Sequence, residues 1–354
     1  MKKINIWLAT LLVILVSCDN NDNIESKTLH LDDPNSDRLS KFRNHKNIAP
    51  KTFYLESSNL DQTIKFQHLV DQMNEFDKLI LRAGPHYISG TVMINKPNLT
   101  IIGENLSTIR KSGHFSCIDI NESANKTTID NVDIDGGGFI NGDANKPRKE
   151  PCMRIFSNEN YIVNSKFHNS GDNSGLLLHG SHLNLIEGCK FYYNYMVGLS
   201  QWYSSDNEIK YCQMYENGAE GITIDGFSHN STIHHCWIHK NNLPKRGVGG
   251  IGIDASNGAQ IFNNTIDFNG LDGIKFQNNL CGGCDGVTIY NNLNISNNER
   301  AAIGKRFNNQ QISNLGIYNN VTHGNPLGAE FTYNSSFAGE ENKVCKQFNI
   351  YGIN

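Results

Sequence analysis

Proline is scarce, positive charge is not in excess, and cysteine shows no paired zinc-site spacing. Only 8 of the 354 residues are proline, whereas 32 are glycine. Asparagine is abundant. Such a composition suits many short strands joined by tight turns. Lys and Arg number 31 against 35 Asp and Glu, a formal net charge of -4. The basic footprint of a nucleic-acid binder is missing, so an anionic substrate must be held by local charge. Cys281-Gly-Gly-Cys284 is a lone CxxC with no second pair at zinc-site spacing, which reads as a loop disulfide or two free thiols rather than a metal site. Past the first residues, no apolar run is long enough to cross a membrane.

The first residues are a targeting segment, set aside before fold reasoning. Lys2 and Lys3 precede the apolar run Ile4 to Val16. Leu15-Val16-Ser17-Cys18 resembles the bacterial lipobox. That resemblance implies a lipoprotein signal peptide over 1–17, lipidation of Cys18, and attachment to the bacterial cell envelope through that anchor only. Residues 18–50 are polar and read as a flexible tether. Residues 51–354 are left for one domain.

That domain repeats. Six segments begin Ser174-Gly175-Leu176, Val197-Gly198-Leu199, Glu220-Gly221-Ile222, Gly249-Gly250-Ile251, Asp272-Gly273-Ile274 and Ala301-Ala302-Ile303. Their second residues lie 23, 23, 29, 23 and 29 apart. A period of about 20–30 residues with short apolar strands signals a solenoid. A second strand per coil reads Ile-x-x-(Cys/Asn), as in Ile209 to Cys212 and Ile261 to Asn264. It predicts a column Ser165, Cys189, Cys212, Cys236, Asn264, Asn292, Asn320. A further column should run Asn194, Asn217, Asn241, Asn269, Asn297, Asn325. Both are scaffold: asparagines stacked in register can bond along a ladder, and parallel stacked cysteines suit a disulfide poorly. Ahead of the coils, Leu60, Ile64, Phe66, Leu69, Val70, Met73 and Phe76 lie at helical spacing. They predict an amphipathic helix covering the open end of the solenoid, with Lys78 to Arg82 starting the strands.

These features resemble the right-handed parallel β-helix repeats of the pectate-lyase-like superfamily over residues 77–345. The resemblance implies an all-β, single-stranded right-handed parallel β-helix with an N-terminal capping helix.

In the Gly-led strand, residues two and four after the segment start are mostly apolar and point inward, because strand side chains alternate. Counting the glycine as position 1, outward position 5 holds His179, Trp202, Asp225, Asp254, Gln277 and Arg306. Position 3 holds Leu177, Ser200, Thr223, Gly252, Lys275 and Gly304. Gln201 and Lys305 break the alternation, which predicts a bulge or a one-residue slip there. With rungs about 4.8 Å apart, Asp225 and Asp254 lie on neighbouring rungs and Lys275 one further. Gly252 leaves space where a substrate would approach, and Trp202 and Tyr203 offer flat faces for a sugar ring, with His179 a further contact. Two stacked carboxylates repel unless something positive intervenes. A bound Ca²⁺, a proton held on one of them, or an ion pair with Lys275 would each answer that.

Some polysaccharide lyases of the superfamily hold Ca²⁺ on Asp residues of successive coils and use a Lys nearby as base. By that resemblance Asp225 and Asp254 are metal ligands, Lys275 is the catalytic base and Arg306 stabilises the enolate-like charge. The implied reaction is β-elimination in an acidic, uronate-containing polysaccharide. Asn269-Gly-Leu-Asp-Gly273 is similar to a repeat segment of mannuronan C5-epimerases, but the Asp-Pro-His signature is replaced by Asp225-Gly-Phe-Ser-His229. A glycoside hydrolase is the third reading, although no Asn-Thr-Asp, Gly-His-Gly or Arg-Ile-Lys motif is present. A non-catalytic glycan-binding β-helix is the fourth. His229, His234, His235 and His239 straddle a turn and alternate faces, so they make a poor zinc site.

Overall fold

A computed structural model of the chain describes residues 49–105, 107–138, 150–171, 173–242, 249–277, 283–307 and 312–334, without the side chains of 306, 307 and 330–334. Cys18, the rest of the leader and tether up to residue 48, and Cys281 lie outside the described residues.

Among the described residues, the strands stack into three parallel sheets of 11, 11 and 10 strands, each rung pairing with the equivalent strand of the next coil, and a further two-stranded sheet pairs Cys284–Asp285 with Ile312–Ser313. Most strands are three or four residues long, because each coil turns a corner after every strand. In the first sheet one central residue per strand points inward, so Ile162, Ile186, Ile209, Ile233, Ile261 and Ile289 form a fully buried column. The second sheet contributes Phe167, Phe191, Met214, Ile238, Ile266 and Ile295. Phe167 and Phe191 stack with ring centroids 5.2 Å apart. The third sheet supplies two inward residues per strand, such as Ile222 with Ile224 and Ile251 with Ile253. This is period-two patterning, satisfied coil after coil.

At two corners, ladders of buried asparagine satisfy the turning backbone. Asn241 is typical. Its Oδ1 accepts from the Asn217 amide at 3.2 Å and from Asn217 Nδ2 at 2.9 Å, while its Nδ2 donates to Met214 O at 2.9 Å. One member of the expected column moves: Asn298, not Asn297, accepts from Asn269 and donates onward. Asn297 instead takes the left-handed corner conformation, φ 52°. The other column forms as expected, from Ser165 through Cys189, Cys212 and Cys236 to Asn264, Asn292 and Asn320. Cys189, Cys212 and Cys236 are buried and unbridged. Burial drives the Cys212 and Cys236 thiols well above their usual range, which leaves them as small apolar fillers.

The N-terminal helix forms in the expected stretch, but the strands begin one coil earlier than expected. Strands Thr52–Leu55 and Ser58–Asp61 already belong to the first two sheets. Helix α1, Thr63–Gln72, follows where the third sheet would need a strand. It buries Phe66 and Val70, with Met73 just beyond it also buried, but leaves Leu60 and Ile64 78 % and 85 % exposed. Gln67 closes the sheet edge: its amide donates to Met93 O at 3.0 Å and accepts from Met93 N at 2.7 Å. The edge strand Val92–Ile94 thus offers no free pairing groups at Met93.

Candidate active site

The third sheet carries the candidate residues in the predicted register. Ser200 pairs with Thr223 and Trp202 with Asp225. Thr223 then pairs with Gly252, Gly252 with Lys275, and Lys275 with Gly304. The Asp254 amide donates to Ile224 O at 3.0 Å and the Gln277 amide to Ile253 O at 2.8 Å, so Asp254 and Gln277 continue the column of Asp225. Neither predicted irregularity occurs. Gln201 stays in register between Leu178 and Ile224 and points into the core, fully buried. Its Oε1 accepts from Asn207 Nδ2 at 3.0 Å and from Ser231 Oγ at 2.9 Å, which offsets part of the cost of burying it, while its Nε2 is buried with no hydrogen-bond partner among the described residues. Lys305 likewise keeps register with Phe276. The backbone of Arg306 lies in strand Ile303–Phe307, one rung beyond Gln277. Its side chain is outside those described.

Outward register does not mean exposure. Asp254 is 1 % exposed and Lys275 6 %. A cleft of about 490 Å³ opens along the same sheet, and neither Asp254 nor Lys275 lines it. Leu177, Met196, Val197 and Ala219 give it apolar walls, His179 and Trp202 give it rings, and Glu220, Asp225 and Gln277 close one end. Of the expected sugar contacts, His179 and Trp202 line the cleft. Tyr203 lies just outside, stacked on Phe227 at 6.1 Å and tilted against Trp202 at 6.4 Å. Trp202 packs tightly over Gly226, where a Cβ would fall 2.8 Å from its ring. Partial burial, then the charge of Arg154, hold His179 below the usual imidazole value.

Glu220 is the cleft-lining acid that the repeat pattern did not reveal. It is buried, 4 % exposed, and its Oε1 accepts a hydrogen bond from Gln277 Nε2 two rungs away. The bond crosses Gly252. A Cβ at that position would sit 2.4 Å from Gln277 Nε2 and 3.2 Å from Glu220 Oε1. The space at Gly252 therefore admits the Glu220–Gln277 bridge and is not open to substrate as expected. Asp272 repeats the arrangement one coil pair later, lying where a Cβ on Gly304 would clash with it. Asp272, however, is neutralised by the guanidinium of Arg300, whereas Glu220 meets a neutral amide and looks into the cleft. The available signal was the residue before each segment's glycine: Ser174, Val197, Glu220, Gly249, Asp272, Ala301. Two of these six are acids.

Burial pushes the Asp225 carboxyl well above the usual range, reinforced by Glu220 and Asp254, while a hydrogen bond from Thr223 pulls the other way. Burial likewise raises Glu220, opposed by its backbone hydrogen bond, the charge of Lys275 and the Gln277 amide. Asp225 Oδ1 is buried with no hydrogen-bond partner among the described residues. A carboxyl whose folded pKa is raised contributes stability below its unfolded value, about 3.9, and that contribution is lost as pH rises through the folded value. Asp225→Asn should therefore melt close to wild type at pH 4 and increasingly above it toward pH 8, read by thermal unfolding in chelator. An advantage independent of pH would contradict this.

The histidines separate onto different faces. His234 stacks on Phe262 at 4.8 Å, and His239 on Trp237 at 3.8 Å and Tyr215 at 5.3 Å. They extend aromatic ladders on the first and second sheets.

Residues 91–249 match the family model described as a right handed beta helix region. The fold is a right-handed parallel β-helix. Solved structures agree. The β-helix aligns with pectate lyase Pel9A at 17 % identity and a TM-score of 0.52, covering 76 % of this chain and 79 % of that one. It aligns with the polygalacturonase from Erwinia carotovora ssp. carotovora at 11 % and 0.53, covering 82 % and 97 %. Tailspike protein 2 from Escherichia coli O157:H7 bacteriophage CAB120 aligns at 16 % and 0.53, covering 75 % and 37 %. At these identities the likeness is one of fold. No curated protein matches the sequence.

Proposed function

We propose that this β-helix is an enzyme acting on an acidic polysaccharide, and that it cleaves the chain at a uronate by β-elimination. The observation that carries this reading is the cleft itself: apolar and aromatic walls ending in stacked carboxyls, with Lys275 two rungs past Asp225. β-Helix neighbours that include a pectate lyase and a polygalacturonase support the substrate class.

In the proposed reaction Lys275 takes the C5 proton of the uronate. The electron pair left on C5 forms the C4=C5 double bond, and the C4–O bond breaks with its pair on the leaving oxygen, which takes a proton from water as the chain departs. Arg306 is the proposed partner of the enolate-like charge. Trp202 and His179 hold the sugar against the cleft wall, with Tyr203 at its rim. A calcium ion on Asp225 and Asp254 is part of the proposal. The hard carboxylate oxygens, one of them a buried Asp225 Oδ1 with no described partner, fit such an ion. Among the described residues no three His, Cys, Asp or Glu side chains gather in a metal-binding group, so substrate and water would supply the other ligands. When bound, the ion would offset the uronate carboxylate and acidify the C5 proton.

The test is ultraviolet absorbance during incubation with uronate polysaccharides, with Ca²⁺ and with chelator. Rising absorbance from the new double bond is expected, and chelator should suppress it. A rise indifferent to chelator would remove the metal and keep the lyase. New reducing ends without absorbance would replace the lyase with a hydrolase, a reading favoured by carboxyls on adjacent rungs about 4.8 Å apart, one of them with a raised pKa. Lipid attachment at Cys18 to the cell envelope also stands as a proposal; Cys18→Ala should release the protein from membrane fractions.

A further inference from the structure

A cation stands one rung beyond the end of the cleft that lies away from Glu220 and Asp225. Arg154 is the register partner of Leu177, which lines the cleft with His179. Its charge, after burial, lowers His179. Its Cζ lies 5.8 Å from the centroid of the Phe156 ring, which itself lies 5.9 Å from that of His179. One edge of the guanidinium is anchored. Nε donates to Asp119 Oδ1 at 3.1 Å and Nη2 to Oδ2 at 2.7 Å. The Asp119 side chain is 5 % exposed, and Ser116 Oγ donates to the same carboxylate. Nη1 is held differently. It meets Glu150 Oε2 at 3.3 Å as an ion pair, yet that oxygen is buried with no hydrogen-bond partner among the described residues. The outer edge of the arginine thus carries a carboxylate that is close but poorly aligned. A second carboxylate can take that place with no change in net charge, and with better alignment it gains a charge-assisted hydrogen bond.

We infer that Arg154 is the anion-reading residue of a distal subsite, where a carboxylate of the acidic chain displaces Glu150 from Nη1. Register sets the reach. Arg154 lies three rungs from Thr223, on the strand of Asp225, or about 14 Å at rung spacing. Lys275 is two rungs further, about 24 Å from Arg154. A chain lying along the sheet presents one acidic unit near Lys275 and another, several units away, to Arg154. Between them it passes the apolar wall and rings of the cleft, which suit the carbon faces of sugars. The subsite therefore reads chain length and charge together: a short chain does not reach it, and a neutral unit gains nothing there. Its ligand rests on the acidic-polysaccharide reading, but recognition does not require that the chain be cleaved.

Binding tests this apart from turnover. Full-length Lys275→Met protein, which is not expected to turn over substrate, is titrated calorimetrically with oligogalacturonates and oligomannuronates of increasing length, each also in a neutral, carboxyl-reduced form. Glu150→Gln in that background removes the competing carboxylate and leaves Arg154 and Asp119 in place. Long acidic chains should then bind about three- to fivefold more tightly, the range of a partly exposed ion pair. Arg154→Gln, made together with Asp119→Asn so that no buried charge is stranded, should weaken the same chains about tenfold or more. Short chains and carboxyl-reduced chains should respond to neither change, with circular dichroism confirming each fold. Failure of Glu150→Gln to tighten long acidic chains, an equal response from neutral or short ones, or no binding of any acidic chain would overturn the inference. Long chains that bind with this pattern but give no new absorbance with the wild-type enzyme would remove the lyase and leave the subsite standing. Unsaturated product from an enzyme whose binding ignores both substitutions would keep the lyase and remove the subsite.

Discussion

Lys275→Met should abolish formation of the unsaturated product while leaving the solenoid folded. General-base catalysis contributes about 10²- to 10⁴-fold, so turnover should fall by at least two orders of magnitude. The substitution keeps the unbranched carbon chain of the lysine and removes only the group that can accept a proton. Lys275 is 6 % exposed on a strand held by Gly252 on one side and Gly304 on the other, so its backbone should not move. Its charge also opposes the upward shift of Glu220. Removing it should raise the Glu220 carboxyl further and stabilise the neutral acid. The diagnostic result is a loss of kcat with little change in the affinity for oligosaccharide, since a base acts on the transition state. If Lys275→Met cleaved normally, the proton would have to leave by another route, and the acids at the cleft end would become the catalytic candidates. Full activity in Lys275→Met together with Asp225→Asn and Asp254→Asn would move the site elsewhere.

Arg300→Ala should be the most destabilising single change at the third sheet. Asp272 is fully buried, and Arg300 holds it from two nitrogens, with Nε 2.8 Å from Oδ1 and Nη2 on Oδ2. Removing one member of a buried pair strands a charge, at a cost of about 3–5 kcal/mol. In a solenoid each coil contacts only its neighbours, so the loss should appear first as loosening of the coils around residues 270–305. Denaturant unfolding would give the magnitude, and hydrogen exchange the location. Asp272→Asn in the Arg300→Ala background should recover most of the loss, because the stranded charge is then gone. A loss under about 1 kcal/mol, the range of exposed pairs, would mean that water reaches Asp272 when the arginine is absent. The same comparison bears on Glu220, the other acid lodged over a glycine. Gln277→Ala removes a neutral partner rather than a cation, so its effect on stability should be smaller and should fall instead on sugar binding.

The repeat was readable because a strand's side chains alternate and its coils recur. Isoleucine at fixed offsets, the glycine before each third-sheet strand, and the Cys and Asn columns were enough to place Asp225, Asp254 and Lys275 on one face in the register observed. Periodicity misled at three places, each for a local reason. At Gln201 a polar residue stands in the core with its Oε1 held by Asn207 and Ser231. At Asn297 the corner took one more residue, which passed the ladder position to Asn298. At the N-terminus the strands begin before the helix, since α1 replaces a third-sheet strand rather than preceding the coils.

The sequence alone determined which residues share a column, because stacking depends on spacing along the chain. It could not decide what those columns face. Glu220 and Asp272 look alike in sequence, each an acid ahead of a glycine, yet one enters the cleft and the other closes on Arg300. That difference depends on the side chains brought across from coils more than 25 residues away. Burial of Asp254 and Lys275, and the apolar wall of the cleft, arise in the same way. Local pattern sets direction, whereas exposure and charge environment are properties of the packed surface as a whole.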